Sequence, residues 1–215
     1  MIRDLDAHRE EMVRTQIESR GVVDPSLLRA MRRIPRHFFV HENLRGVAYE
    51  DEPLPIGGRQ TISQPFIVAF MTEALALKPS DKALEVGTGS GYQTAVLADL
   101  AAEVLTVEII PELAASARAV LSRLGYANIR FRTGDGAEGW PEEAPFDAVI
   151  VTAASAQVPD ALTGQLAEGG RMIIPVGRDR QTLRMIRKKG GRLIETALLG
   201  VRFVPLITGT CGEAS

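Results

Sequence analysis

Apolar positions along the chain follow two rhythms, and the change comes near Lys82. Before it, they recur at helical spacing. Residues 6–20 place Ala7, Met12, Val13 and Ile17 on one face of an amphipathic helix. VDPSLLRAMRRIP predicts a second helix: Asp24 suits the N-cap, Pro25 the first helical position, and Pro35 ends it. Pro65 opens a third, PFIVAFMTEALAL. Between Arg36 and Ser63 the spacing is lost, and Pro53, Pro55, Gly57 and Gly58 punctuate an irregular segment. So long a loop inside a compact fold tends to be functional.

After Lys82, short apolar runs alternate with helical stretches. KALEVG, EVLTVE, NIRFRTG, FDAVIVT and GRMIIPVG read as strands; GYQTAVLADLAA, PELAASARAVLSRLG and VPDALTGQLAEGG read as helices. This alternation predicts a parallel sheet covered on both faces, and AVIV and MIIP are continuously apolar as doubly buried strands require. QTLRMIRKK and RLIETALLGVRFVPL follow with no helix between them and suit an antiparallel pair near one edge. The expected fold is α/β: a doubly wound, mostly parallel, Rossmann-like sheet of about seven strands with an N-terminal helical and loop extension. The extension is expected to span residues 1–78, the core with its edge strands 79–208, and a flexible tail 209–215.

Composition narrows the function classes. With 45% hydrophobic residues, 24% charged residues and a net charge of −2, the chain resembles an ordinary soluble protein. Neither nucleic acid nor an anionic membrane is expected as partner, and the basic run Arg184–Arg192 reads as a solvated edge. Cys211 is the lone cysteine, which excludes an intrachain disulfide and a cysteine-rich metal site. The N-terminus is charged without a signal-peptide core, and no stretch reaches the ~18–20 apolar residues of a membrane span. A cytoplasmic monomer is expected. His8, His37 and His41 have no convergent carboxylates, so structural roles are expected for them and no metal is predicted. Trp140 and Phe203 read as packing residues.

The most informative stretch is EVGTGSGYQTA, where the first core strand meets a helix. Gly87, Gly89 and Gly91 allow a tight turn and close approach of a ligand. A dinucleotide loop, G-x-G-x-x-G, would need glycine at Tyr92 in one register, or glycine or alanine at Thr94 in the other, so both registers fail. A phosphate-binding Gly-Lys-Ser/Thr is also missing. G-x-G-x-G after an acidic strand residue, Glu85, instead resembles the class I S-adenosylmethionine-dependent methyltransferases. Glu108, about twenty residues on, ends the next strand, where a carboxylate can bind both ribose hydroxyls or serve the helix starting near Pro111. Asp135, between Gly134 and Gly136, can accept from an adenine amino group or simply form an Asp-Gly turn. These features fall at successive strand ends, where open α/β sheets bind ligands.

AYEDEPLPIGGRQTISQPFIVAFMTEAL, followed by LEVGTGSGYQTAVLA, GDG, APFDAVIVTAA, EGGRMIIPVG and VRFVPL, closely resembles the protein-L-isoaspartate O-methyltransferase family, from about residue 8 to about residue 208. The resemblance implies transfer of a methyl group from S-adenosylmethionine to the free α-carboxylate of L-isoaspartyl residues in damaged proteins and peptides. The ester then cyclises to a succinimide. It implies Ser63 as the catalytic serine, with Thr61, Ile62, Gln64, Val204 and Leu206 facing substrate. For the cofactor it implies Glu85, Gly87, Thr88, Gly89, Gly91, Glu108, Gly134, Asp135, Gly136 and Thr152. A carboxylate is ionised at neutral pH and needs no base, which fits a TISQ turn without one. Capping of the helix at Pro65 is the alternative role for Ser63 or Gln64. Two positions depart from the family pattern: Arg59 stands where relatives have glycine, and Ser155 where they often have proline.

Overall fold

The structure, a computed structural model, describes residues 4–209; Cys211 and the rest of the tail from 210 onward lie outside them. The helix expected over 6–20 begins as α1 (Leu5–Met12), capped by the Asp4 carboxylate, and continues through one π-helical turn at Val13–Ile17. Helix α2 (Pro25–Arg33) starts as expected, with the Asp24 side chain accepting from the amides of Ser26 and Leu27. Helix α3 spans Pro65–Leu75. The segment before it is not wholly irregular: β1 (Leu54–Gly57) and β2 (Gln60–Ile62) pair as an antiparallel hairpin.

The core sheet comprises β3 (Lys82–Val86), β4 (Glu103–Glu108), β5 (Ile129–Thr133), β6 (Phe146–Val151), β7 (Leu166–Val176), β8 (Gln181–Lys189) and β9 (Arg192–Val201). Their order is β5-β4-β3-β6-β7-β8-β9. Strands β5 through β7 run parallel, and β8 and β9 close the edge antiparallel. Helices α4 (Tyr92–Ala98) and α5 (Pro111–Arg123) follow β3 and β4, and α6 (Asp160–Gly164) follows β6.

Helix α6 is shorter than the sequence spacing predicts, because β7 begins at Leu166. Leu166 pairs with Phe146, and the ladder resumes at Ala148 with Arg171 after a bulge. Gly170 sits in that bulge, where a Cβ would stand 2.8 Å from the Ala167 carbonyl oxygen and 3.0 Å from that of Phe146.

One sheet face is covered by α3 and α4 through Met71, Leu75 and Leu97, the other by α6 through Leu162. The N-terminal helices pack onto α4 and α5, so Met31, Ile34 and Tyr92 share one core with Leu121. Strand order reverses between β3 and β6. Their carboxyl ends therefore diverge into a crevice, the place where such sheets bind ligands.

Candidate active site

Gly87 leaves β3 at φ +92°, its amide donating to the Val107 carbonyl at 2.8 Å. A Cβ there would lie 2.4 Å from the Thr152 hydroxyl oxygen. That hydroxyl instead donates to the Gly87 carbonyl at 2.6 Å, so Thr152 braces the turn from the end of β6. Gly89, at φ +53°, donates its amide to Glu108 Oε2 at 2.8 Å. The other Glu108 oxygen accepts from the Ile110 amide at 3.0 Å. Glu108 thus serves the start of α5 and the glycine loop together, lines the cleft, and keeps acceptor capacity on both oxygens.

Gly91 has a different task. It caps α4 at φ +88°, and a Cβ would press on Leu121 at 3.0 Å and Ala117 at 3.2 Å, so it lets α4 and α5 pack.

Glu85 does not line the cleft. It is fully buried, on the sheet face toward α4, and its Oε2 accepts from the hydroxyls of Thr94 (2.5 Å) and Thr106 (2.7 Å). Thr106 in turn lies 2.6 Å from the Thr88 hydroxyl. Burial pushes the Glu85 carboxyl up to about 8, against the opposing pull of the two threonine bonds, and the charge of Glu108 adds to the rise. Its place is beneath the loop, holding Thr94 directly and Thr88 through Thr106. Asp135 is likewise occupied: Oδ1 accepts from the Ala137 amide at 2.8 Å and Oδ2 from the Gly209 amide at 2.7 Å. Neither Asp135 nor Gly134 lines the cleft, whereas Gly136 does. A Cβ on Gly136 would strike Val86 at 2.4 Å.

The second wall comes from the β1–β2 hairpin. Ile62 pairs with Leu54 and is buried, which turns Ser63 toward the cleft just before α3. No hydrogen bond from the Ser63 hydroxyl to another described residue is formed, and Gln64, the N-cap of α3, makes no side-chain cap. The Asp51 carboxylate takes over that task, accepting from the Phe66 amide at 3.4 Å. Gln64 points to a neighbouring groove rather than the cleft.

The third wall is Phe203–Ile207, which leaves the sheet after β9. Ala154 holds it, donating to the Val204 carbonyl and accepting from the Leu206 amide, both at 2.8 Å. Gln181 clamps Phe203 from the other side, accepting from its amide at 2.6 Å and donating to its carbonyl at 3.1 Å.

The resulting cleft measures about 830 Å³ and brings together Thr61, Ile62, Ser63, Gly87, Thr88, Gly89, Glu108, Gly136, Thr152, Val204 and Leu206. Among the described lining residues no lysine, arginine or histidine occurs, and Glu108 is the sole carboxylate. Sequence reasoning missed Gln93, Ile109, Ile110 and the lining role of Phe203. Ile109-Ile110 carried a signal: two apolar residues where a strand exit is usually polar. Of the two departures, Arg59 is exposed outside the cleft. Ser155 donates its amide to Pro175 at 3.1 Å, a bond that proline could not make, and it too stands outside the cleft.

A family model described as protein-L-isoaspartate(D-aspartate) O-methyltransferase (PCMT) matches residues 7–211. The chain belongs to this family. A protein-L-isoaspartate O-methyltransferase of Methanoculleus marisnigri is 55% identical over 210 residues, 96% of each chain. One from an Anaeromyxobacter species is 58% identical over 200 residues, 91% of this chain and 94% of the relative. A solved protein-L-isoaspartate O-methyltransferase superposes with a TM-score of 0.85 at 32% identity, covering 95% of this chain and 67% of that one. A putative family member from Plasmodium falciparum, solved with S-adenosyl-L-homocysteine, gives 0.83 at 28% identity, covering 94% and 99%. The isoaspartate methyltransferase fold thus extends over nearly the whole chain.

Proposed function

We infer that this chain repairs damaged proteins by methylating the free α-carboxylate of L-isoaspartyl residues, and that its cleft does so by placement, without proton transfer. Membership of the family supports the reaction. The donor set fits S-adenosylmethionine: Glu108 offers two oxygens to a ribose diol, while a phosphate-bearing cofactor would meet no cation on the lining. When bound, the cofactor supplies a methyl group on a positively charged sulfur, an electrophile carrying its own leaving group. Glu108 and the Gly87–Gly89 turn would hold it, Gly136 packs flat on Val86 beneath the cleft, and Thr152 keeps the turn in shape.

The observation that carries the reading is the Ser63 hydroxyl, unpartnered among the described residues, in a cleft whose described lining holds no lysine, arginine or histidine. An isoaspartyl carboxylate enters already ionised. A cationic clamp would stabilise that anion and blunt its attack; a single hydroxyl donor aligns it while leaving its charge. Thr61, Ile62, Val204 and Leu206 flank the entrance for the peptide.

Ser63→Ala tests the assignment. S-adenosylhomocysteine should bind as before by calorimetry, while single-turnover methylation of an isoaspartyl peptide falls about tenfold or more, as expected for loss of one hydrogen bond to a charged group. An unchanged rate would remove Ser63 from the chemistry.

A further inference from the structure

Outside the cleft runs a second groove, about 1790 Å³, that shares Thr61, Ser63, Thr152, Phe203 and Val204 with it. The groove therefore offers a path for the chain that flanks a carboxylate presented to Ser63. Its far side is formed by the β7–β8 turn and the end of β9. That side is electrically uneven. Arg20, Arg180 and Arg202 line the groove, against Asp179 as its one carboxylate. Arg20 is already spent: it pairs with Asp51 at 2.5 Å and its guanidinium lies 3.4 Å from the centre of the Phe66 ring. Arg180 and Arg202 are exposed and form no ion pair among the described residues. Among the described residues the cleft itself carries no cation, so the positive charge begins where the flanking residues of a substrate would lie.

We propose that Arg180 and Arg202 make this groove a charge-selective docking surface, favouring isoaspartyl segments with an acidic side chain within a few residues of the damaged one. This rests on the isoaspartyl reading above. The arrangement separates two tasks. Within the cleft a cation would quench the nucleophile, whereas in the groove it can recruit acidic polypeptide without touching the reacting carboxylate. Each contact is a solvent-exposed ion pair, so the preference is modest and weakens with salt.

Isoaspartyl peptides carrying glutamate, glutamine or lysine two or three residues to either side, otherwise identical, provide the test. At low ionic strength the glutamate peptide on at least one side should show a KM about two- to fivefold below the glutamine peptide, with the lysine peptide above it and similar kcat values. The doubly reversed variant Arg180→Glu with Arg202→Glu should invert the order, and Arg180→Lys with Arg202→Lys should keep it. Equal KM values for all three peptides on both sides would overturn the proposal, as would a preference that survives charge reversal. Methylation of the glutamine peptide reports separately on the isoaspartyl reading: if it fails, that reading fails; if it proceeds without charge preference, only the docking surface does.

Discussion

At the scale of single residues, the acidic side chains show how position decides role. Glu108 ends a strand and lines the cleft, but Glu85, two residues before Gly87, faces the opposite way into the protein. Strand alternation makes that legible afterwards: Glu85 sits opposite Thr106 in the parallel ladder and shares its face. The glycines were readable because close backbone approach leaves no alternative to them; the destinations of Glu85 and Asp135 were not, since tertiary partners decide them. Burial holds the Glu85 carboxyl at about 8, above its ordinary value of 4.5. Folding therefore takes up a proton there between those values, and stability falls as pH rises from about 4.5 to about 8, then levels off. Glu85→Gln keeps an acceptor for Thr94 and Thr106 but cannot ionise. Urea unfolding should show the variant gaining on the parent between pH 5 and pH 8.5; a constant difference would mean that Glu85 ionises as easily folded as unfolded.

At the scale of elements, the hairpin β1–β2 is what the sequence pattern hid. Pro53 and Pro55 argue against a strand, yet Pro55 can sit on an edge strand, where it need not donate. Gly57 pairs with Gln60, leaving Gly58 and Arg59 as a two-residue turn at φ +55° and +57°. Positive φ at both central positions matches the strand twist of a tight hairpin. Arg59, exposed and without an ion pair among the described residues, adopts a backbone conformation that favours glycine. Arg59→Gly should stabilise the protein by about 1 kcal/mol, or roughly 2–4 °C in thermal melting. Equal or lower stability would show that the turn bears no strain. Helix α6 was overestimated for a related reason: Ala167–Gly170 keeps helical spacing, but the bulge opposite Phe146 claims it for β7.

At the scale of the whole molecule, strand–helix alternation from Lys82 onward made the parallel sheet readable, because it follows from local pattern, whereas the strand order and its switch point between β3 and β6 came from the fold. The walls of the cleft were less so. They converge from the hairpin before the sheet, the loops of β3, β4 and β6, and the segment after β9, and only tertiary bonds such as those of Ala154 and Gln181 fix their meeting. Family resemblance supplied what pattern could not, by joining TISQ to the glycine loop. That union amounts to a carboxylate-directed methyl transfer that needs alignment and no base. Methyl transfer from labelled S-adenosylmethionine to two peptides differing only in an isoaspartyl or aspartyl linkage tests it most directly. Label should appear on the isoaspartyl peptide alone, followed by release of methanol as the ester breaks down. Equal labelling of both peptides, or none beside efficient methylation of a small carboxylate or amine, would contradict it.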